Sequence, residues 1–169
     1  MQEIQKVLKM NRHKLDFDRD IEINYILSDL KVTSKKAVLS QLADHVAETF
    51  KVPAPVVLDQ LIVQEANQNS SMGDGVAIPT LSLKQAQKPY TILVRLSRPV
   101  AFESVDDAPV DLICLVVSPS GSGPLKLRRL SRISRLLKNQ ELLGKIRNTE
   151  DEDTIRALIH SPDGWMMAA

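Results

Sequence analysis

The chain has 169 residues, enough for one domain of ordinary size with a real core. Its 22 basic and 21 acidic side chains nearly cancel, so bulk charge argues for neither nucleic acid nor a membrane surface. Apolar residues make up 43% and aromatics 4%, so the core is expected to be aliphatic.

Cys114, the single cysteine, has no partner for an internal disulfide and cannot form a zinc site by itself. It sits in the run Leu112-Ile-Cys-Leu-Val-Val117 and reads as a buried small hydrophobe. No apolar run reaches the roughly 18 residues of a membrane-spanning helix. The first ten residues mix charged with apolar side chains and lack the apolar core of a signal peptide. A cytoplasmic, reducing location is therefore expected, with no cofactor, no metal and no membrane partner.

Residues 1–20 are polar and mixed, and His13-Lys-Leu-Asp-Phe-Asp18 alternates weakly; the segment reads as an extension ahead of a domain over residues 21–162, with 163–169 as a tail. From Thr33 the pattern turns helical. Leu39, Leu42, Ala43, Val46 and Phe50 recur at spacings of three and four, and Thr33 or Ser34 can cap the start. Pro53 and Pro55 stop that helix and open another, with Pro55 in its first turn and Leu58, Leu61 and Ile62 as its apolar stripe.

Residues 67–74 are turn-rich and predict a loop. Three strands follow: a short one at Val76–Ile78, then Tyr90–Leu96 and Asp111–Val117. The unbroken apolar run of the last predicts a central strand covered on both faces. After the loop Pro119-Ser-Gly-Ser-Gly-Pro124, a basic helix is predicted from Leu125 to Lys138 with Leu127, Leu130, Ile133 and Leu137 buried. A further helical piece spans Glu141–Asn148. Thr149-Glu-Asp-Glu152 has capping-box spacing before a final helix with the stripe Ile155, Leu158 and Ile159, ended by Pro162 and Gly164. Helices and strands are mixed around an apolar central strand, which predicts a layered α/β domain.

Several motifs stand in register: Ser34-Lys-Lys-Ala-Val-Leu39, Gly73-Asp-Gly-Val-Ala-Ile-Pro79, Pro99-Val-Ala-Phe102, Asp106-Asp-Ala-Pro-Val-Asp-Leu112 and Pro119. Over about residues 26–162 the chain resembles the nitrogen-regulatory branch of the bacterial phosphotransferase-system enzyme IIA proteins, related to the fructose and mannitol IIA domains. The resemblance implies a mixed β-sheet with helices on both faces and the Gly-rich segment at the sheet's edge. It also implies a role: an HPr-type phosphocarrier donates a phosphoryl group to a histidine that follows Ala-Ile-Pro. Nitrogen-branch members mostly regulate other proteins through their phosphorylated or free state.

The sequence departs from that pattern at three polar positions. Thr80 stands where the family has the acceptor histidine, Gln64 where it has an arginine before Glu65, and Lys126 where a second histidine falls. An imidazole nitrogen is a good nucleophile near neutral pH, and its phosphoramidate stays a good donor; a threonine hydroxyl needs a base, and its ester would trap the group. Glutamine cannot supply the charged fork that holds phosphate oxygens. His13, His45 and His160 fall away from the motif and read as ordinary histidines.

The resemblance therefore implies a regulatory protein that binds a partner and is not phosphorylated at this position. Two alternatives stay open: a phosphocarrier that uses another acceptor residue, and a small-anion binding module. For the latter, Gly73 and Gly75 let main-chain N–H groups approach an anion beside Lys126, although they also serve as plain turn residues. Arg128, Arg132, Arg135 and Lys138 share the helix face opposite the leucines, with no acid between 124 and 140. They read as a solvated face or as a docking surface for an acidic protein. Nucleic acid is not expected, because no aromatic residue interleaves with them.

Overall fold

A computed structural model describes residues 22–160, and Gln2 and Ile4 besides. The expected features at His13–Asp18 and in residues 163–169 lie outside the described residues. Six strands form one mixed sheet: β1 (Tyr25–Leu30), β2 (Ser71–Gly73), β3 (Val76–Ala77), β4 (Thr80–Leu83), β5 (Tyr90–Val100) and β6 (Val110–Pro119). Within residues 22–160 five helices accompany them: α1 (Lys35–Phe50), α2 (Ala54–Asn67), α3 (Gly123–Leu136), α4 (Gln140–Arg147) and α5 (Glu152–His160). The strand order is β1-β5-β6-β3-β2, with β4 also paired to β6.

The central strand is β6, as the unbroken apolar run predicts. It pairs antiparallel with β5 on one side. On its other side it pairs in parallel first with β3 and then, further along, with β4. Successive side chains point to opposite faces. Ile113, Leu115 and Val117 join one apolar cluster with α1 and α2, while Leu112, Cys114 and Val116 join a second with α3, α4 and α5. The sheet is thus sandwiched between two helical layers. Burial at Cys114 pushes its thiol up to about 12.

Local chemistry explains the helix ends. The Ser34 hydroxyl caps α1 by accepting from the Ala37 N–H at 3.1 Å. Lys51 then takes a left-handed conformation, and its N–H closes on the Ala47 carbonyl before Pro53 starts the turn into α2. The Asn139 side chain caps α4 through the Leu142 N–H at 3.2 Å.

Several expectations need correction. The 67–74 loop contains β2, and β1 and β4 were not legible as strands. β1 is a sheet-edge strand in which Ile26 is the buried residue, so it lacks an apolar run; β4 is four residues long. On α2 the buried positions are Val57, Leu61 and Glu65, and Ile62 is exposed. The helix meets the sheet along one narrow stripe, and Glu65 is buried there because Lys35 neutralises it. The helix predicted over Leu125–Lys138 spans Gly123–Leu136 instead; Ile133, Leu136 and the following Leu137 are buried but Leu127 is 68% exposed, so only the C-terminal half of α3 reaches the core. Asp151, not Thr149, caps α5, accepting from the Thr154 N–H at 3.0 Å.

Candidate functional site

The Val-Ala-Ile-Pro-Thr run crosses from β3 to β4 along one edge of β6. The Ile78 N–H donates to the Ser70 carbonyl at 2.9 Å, and the Pro79 carbonyl accepts from the Val116 N–H at 3.0 Å. Thr80 then opens β4 opposite Val116. Both ends of the Ile-Pro step are thereby fixed, and the half-buried Thr80 side chain is held at the mouth of a cleft between α2, β4 and α3.

The three polar positions singled out in the sequence meet here. Gln64 Nε2 donates to Thr80 Oγ1 at 3.4 Å, and Lys126 Nζ donates to Ser82 Oγ at 3.2 Å, two residues further along β4. Two adjoining cavities of about 380 and 410 Å³ share Gln64, Thr80 and Lys126 in their walls. The first adds Asp59 and Val63; the second adds Glu65, Ser70, Met72 and Leu127. The groups at the centre are an amide, a hydroxyl and an ammonium. None is a base able to activate the Thr80 hydroxyl near neutral pH. Among the described residues no group of three or more His, Cys, Asp or Glu side chains is placed to hold a metal ion.

Gly73 and Gly75 do not line either cavity. Both have positive φ, at 84° and 80°, and shape the turn between β2 and β3. An anion is already supplied there from within the chain: Asp106 Oδ2 accepts from the Asp74 N–H at 3.0 Å, and Asp106 Oδ1 from the Ala108 N–H at 3.1 Å. Those two N–H groups hold the Asp106 carboxyl below the usual carboxylate range. At Gly75 an added Cβ would lie 2.7 Å from Arg147 Nη2 and 3.0 Å from Asp111 Oδ1. The two glycines and Lys126 therefore do not converge on one point.

Sequence reasoning missed Arg147. From the end of α4 it grips both oxygens of Asp111, with Nε 2.9 Å from Oδ2, and its Nη2 donates to the Asp74 carbonyl. Arg95 in turn donates to the Arg147 carbonyl from Nε and Nη2. The first and last carboxylates of the Asp106-to-Leu112 motif thus serve the structure, holding the turn that leads into the cleft strand. Nothing in the spacing of residues 36 apart announces a pair such as Asp111 and Arg147.

Arg128 and Arg135 are exposed on α3 and Lys138 is exposed in the turn just after it, so the four cations do not share one helical face; Arg132 is half-buried with its Nη1 enclosed and without a hydrogen-bond partner. His160 ends α5. His45 lies on α1, stacked on Tyr25 with ring centroids 4.0 Å apart, and its Nε2 is 3.0 Å from the Tyr90 hydroxyl. Neither histidine lines the cleft. Partial burial lowers the His45 pKa from its ordinary value, against an opposing pull from Glu48. The unfolded chain therefore takes up a proton first as pH falls through about 6.5. The His45 contribution is fully present above that pH and declines below it until the lower folded pKa is passed. Denaturant melts of the wild type and of His45→Gln across this window are expected to differ in slope, the variant lacking this loss.

The fold and the cleft together define a layered α/β protein of the enzyme IIA type. Residues 21–161 match the family described as "Phosphoenolpyruvate-dependent sugar phosphotransferase system, EIIA 2". The chain belongs to that family. It is 39% identical over 137 residues to a nitrogen regulatory protein of Bradyrhizobium diazoefficiens, covering 81% of this chain and 90% of that one. A nitrogen regulatory protein of Pseudomonas aeruginosa is 29% identical over 127 residues, covering 75% and 82%. Among solved structures, nitrogen regulatory protein IIA-Ntr from Neisseria meningitidis superposes with a TM-score of 0.75 at 22% identity, over 80% of this chain and 92% of that one. IIA mannitol from Escherichia coli gives 0.68 at 12% identity, over 83% and 99%. At these identities the structural likenesses show the fold. No helix among the described residues is long and apolar enough to cross a membrane.

Proposed function

We propose that the protein is a nitrogen-regulatory IIA-type regulator that acts by binding a partner protein and carries no phosphoryl group at its cleft. The observation that carries this reading is the Gln64–Thr80 hydrogen bond at the position of the family's acceptor. The hydrogen-bond partner of the Thr80 hydroxyl is an amide, which is no base, the Glu65 carboxylate in the cavity wall is paired with Lys35, and a threonine phosphate ester would be a poor donor. The neighbouring Gln64 offers an amide where an anion calls for a charged fork. The partner is a regulated protein of the cytoplasm, with an HPr-type phosphocarrier as a further candidate. The relative IIA mannitol of Escherichia coli has been solved in complex with phosphorylated enzyme IIB, an example of partner binding on this fold.

Incubation with a radiolabelled, phosphorylated HPr-type donor tests the reading. No transferable label is expected on the chain; stable, transferable label on His45 or any other histidine overturns it in favour of a relay through another acceptor. Thr80→His alone is expected to stay about 10²-fold or more below the triple variant Thr80→His/Gln64→Arg/Lys126→His, the size of effect seen when one charged or polar transition-state donor is missing. Full transfer from the single change would show that Gln64 and Lys126 do not matter. The small-anion reading keeps Lys126 but loses the two glycines, whose turn is occupied by Asp106.

A further inference from the structure

The rim of the cleft carries a pattern that the proposed function leaves unused. Leu127 is 68% exposed, Val63 58% and Met72 43%, and they come from three different elements, α3, α2 and β2. Scattered singly, exposed aliphatic side chains need no explanation. Here all three line cavities that share Gln64, Thr80 and Lys126, so they ring a common polar centre. Leu127 is moreover followed along α3 by Ser131 and Ser134 at spacings of four and three, which places them on one helical face, and Lys138 stands exposed two residues past the helix end. Leu127, Ser131 and Ser134 line the second cavity. Small hydroxyl residues at this spacing leave a shallow track that starts on an exposed leucine and runs toward the helix end, where Lys138 follows. Arg135, also exposed, flanks the track.

Charge gives the track a direction. Lys126, Arg135 and Lys138 belong to a segment with no acid between residues 124 and 140. None of the carboxylates near the cleft lies on α3. Glu65 is neutralised by Lys35 at 2.9 Å. Asp74 accepts from Gln140 and Asp106 from main-chain N–H groups at the β2–β3 turn. Asp59 stands on the α2 wall. The potential along α3 is therefore positive and unrelieved by acids of its own helix, beside an apolar rim and a polar floor.

We infer that this surface docks an amphipathic, acidic segment of a partner protein. The segment's apolar side chains would sit among Val63, Met72 and Leu127, and its carboxylates would run along α3 toward Arg135 and Lys138. Apolar anchors surrounded by a charged rim are the common build of such sites, the anchors setting affinity and the charges setting orientation and on-rate. The inference rests on the partner-binding reading above and names the chemistry of that partner.

The test is a titration of the isotope-labelled full chain, followed by backbone amide shifts, with three helical peptides of about 14 residues, long enough for nearly four turns. One carries leucines flanked by glutamates, one the same leucines flanked by lysines, and one the glutamates with serine in place of leucine. The first is expected to shift the amides of Val63, Met72, Leu127 and residues 131–138, and to bind at least about tenfold more tightly than either of the others. Leu127→Ser/Val63→Ser and Arg135→Glu/Lys138→Glu are each expected to weaken it about tenfold. All four side chains are exposed, so the amide spectrum away from the cleft serves as the check on folding. Absence of shifts at millimolar peptide, equal binding of the lysine or serine peptide, or shifts confined to other faces overturns the inference. So does tighter binding of a thymidine oligonucleotide at the same residues, or concentration-dependent self-association through them. A failed titration with no phosphoryl labelling would remove this surface and leave the non-carrier reading intact. Labelling with a successful titration would do the reverse.

Discussion

Glu65→Ala is expected to destabilise the protein by about 3 kcal/mol, the low end of the cost of breaking a buried ion pair from one side. The Glu65 side chain is 6% exposed and that of Lys35 17%. Lys35 Nζ lies 2.9 Å from Glu65 Oε2, 4.7 Å from the centre of the Phe102 ring and 3.5 Å from the Phe102 carbonyl. The same carboxylate oxygen accepts from the Ser70 N–H at 3.3 Å. Removing it leaves an ammonium pressed against an aromatic ring without a counter-charge and takes a partner from a main-chain donor. For a domain of this size the melting temperature should fall by about 6–12 °C. Lys35→Met/Glu65→Leu should recover most of the loss, since replacing both charges by apolar groups removes the desolvation cost as well as the attraction. Chemical denaturation of the two single variants and the double variant decides this. A loss under about 1 kcal/mol in Glu65→Ala would mean that water reaches Lys35 and that the pair behaves as a surface one.

The second large effect is expected at Gly75. Its φ of 80° is one that side chains with a Cβ rarely adopt, and conformational strain of that kind costs about 1–3 kcal/mol. The added Cβ would also press on Arg147 Nη2 and Asp111 Oδ1, the two atoms whose contact ties α4 to β6. The guanidinium is flexible, but moving it gives up its bond to the Asp74 carbonyl and loosens its grip on Asp111. Gly75→Ala is expected to cost about 2–4 kcal/mol in all, strain plus a charge-assisted hydrogen bond. The partition can be measured. In an Arg147→Ala background the added cost of Gly75→Ala should shrink toward the backbone strain alone. Equal costs in both backgrounds would show that the close approach is relieved without loss of the bonds.

Much of the architecture follows from local pattern. The spacing of Leu39, Leu42, Ala43 and Val46 dictates a helix with one face on the sheet. The apolar run at 112–117 dictates a strand with side chains feeding two cores. What stayed hidden depends on partners distant in sequence. Glu65 breaks the polarity rule for a buried stripe because Lys35, on another helix, neutralises it. Leu127 fits a buried stripe by spacing and is nevertheless exposed, because the first half of α3 runs past the end of the core. β2 and β4 are too short to carry a periodic signal and exist because β3 and β6 supply their hydrogen bonds. The convergence of Gln64, Thr80 and Lys126 was expected from the resemblance, not from spacing. Their shared cleft gives that expectation a geometry, and the separation of Gly73 and Gly75 from it narrows the set.

Two short strands, β3 and β4, share a single edge of β6, end to end, with the Ile78–Pro79 step between them. Thr80 enters its strand through backbone bonds, and its side chain is left half-buried over open space. The strand register at that position is therefore held by the backbone, and the side chain accepts the hydrogen bond from Gln64. A lineage can exchange the reactive group there and keep every strand in register. The sheet register and the chemistry at the cleft are thus set by different atoms, so the two can vary separately on this scaffold.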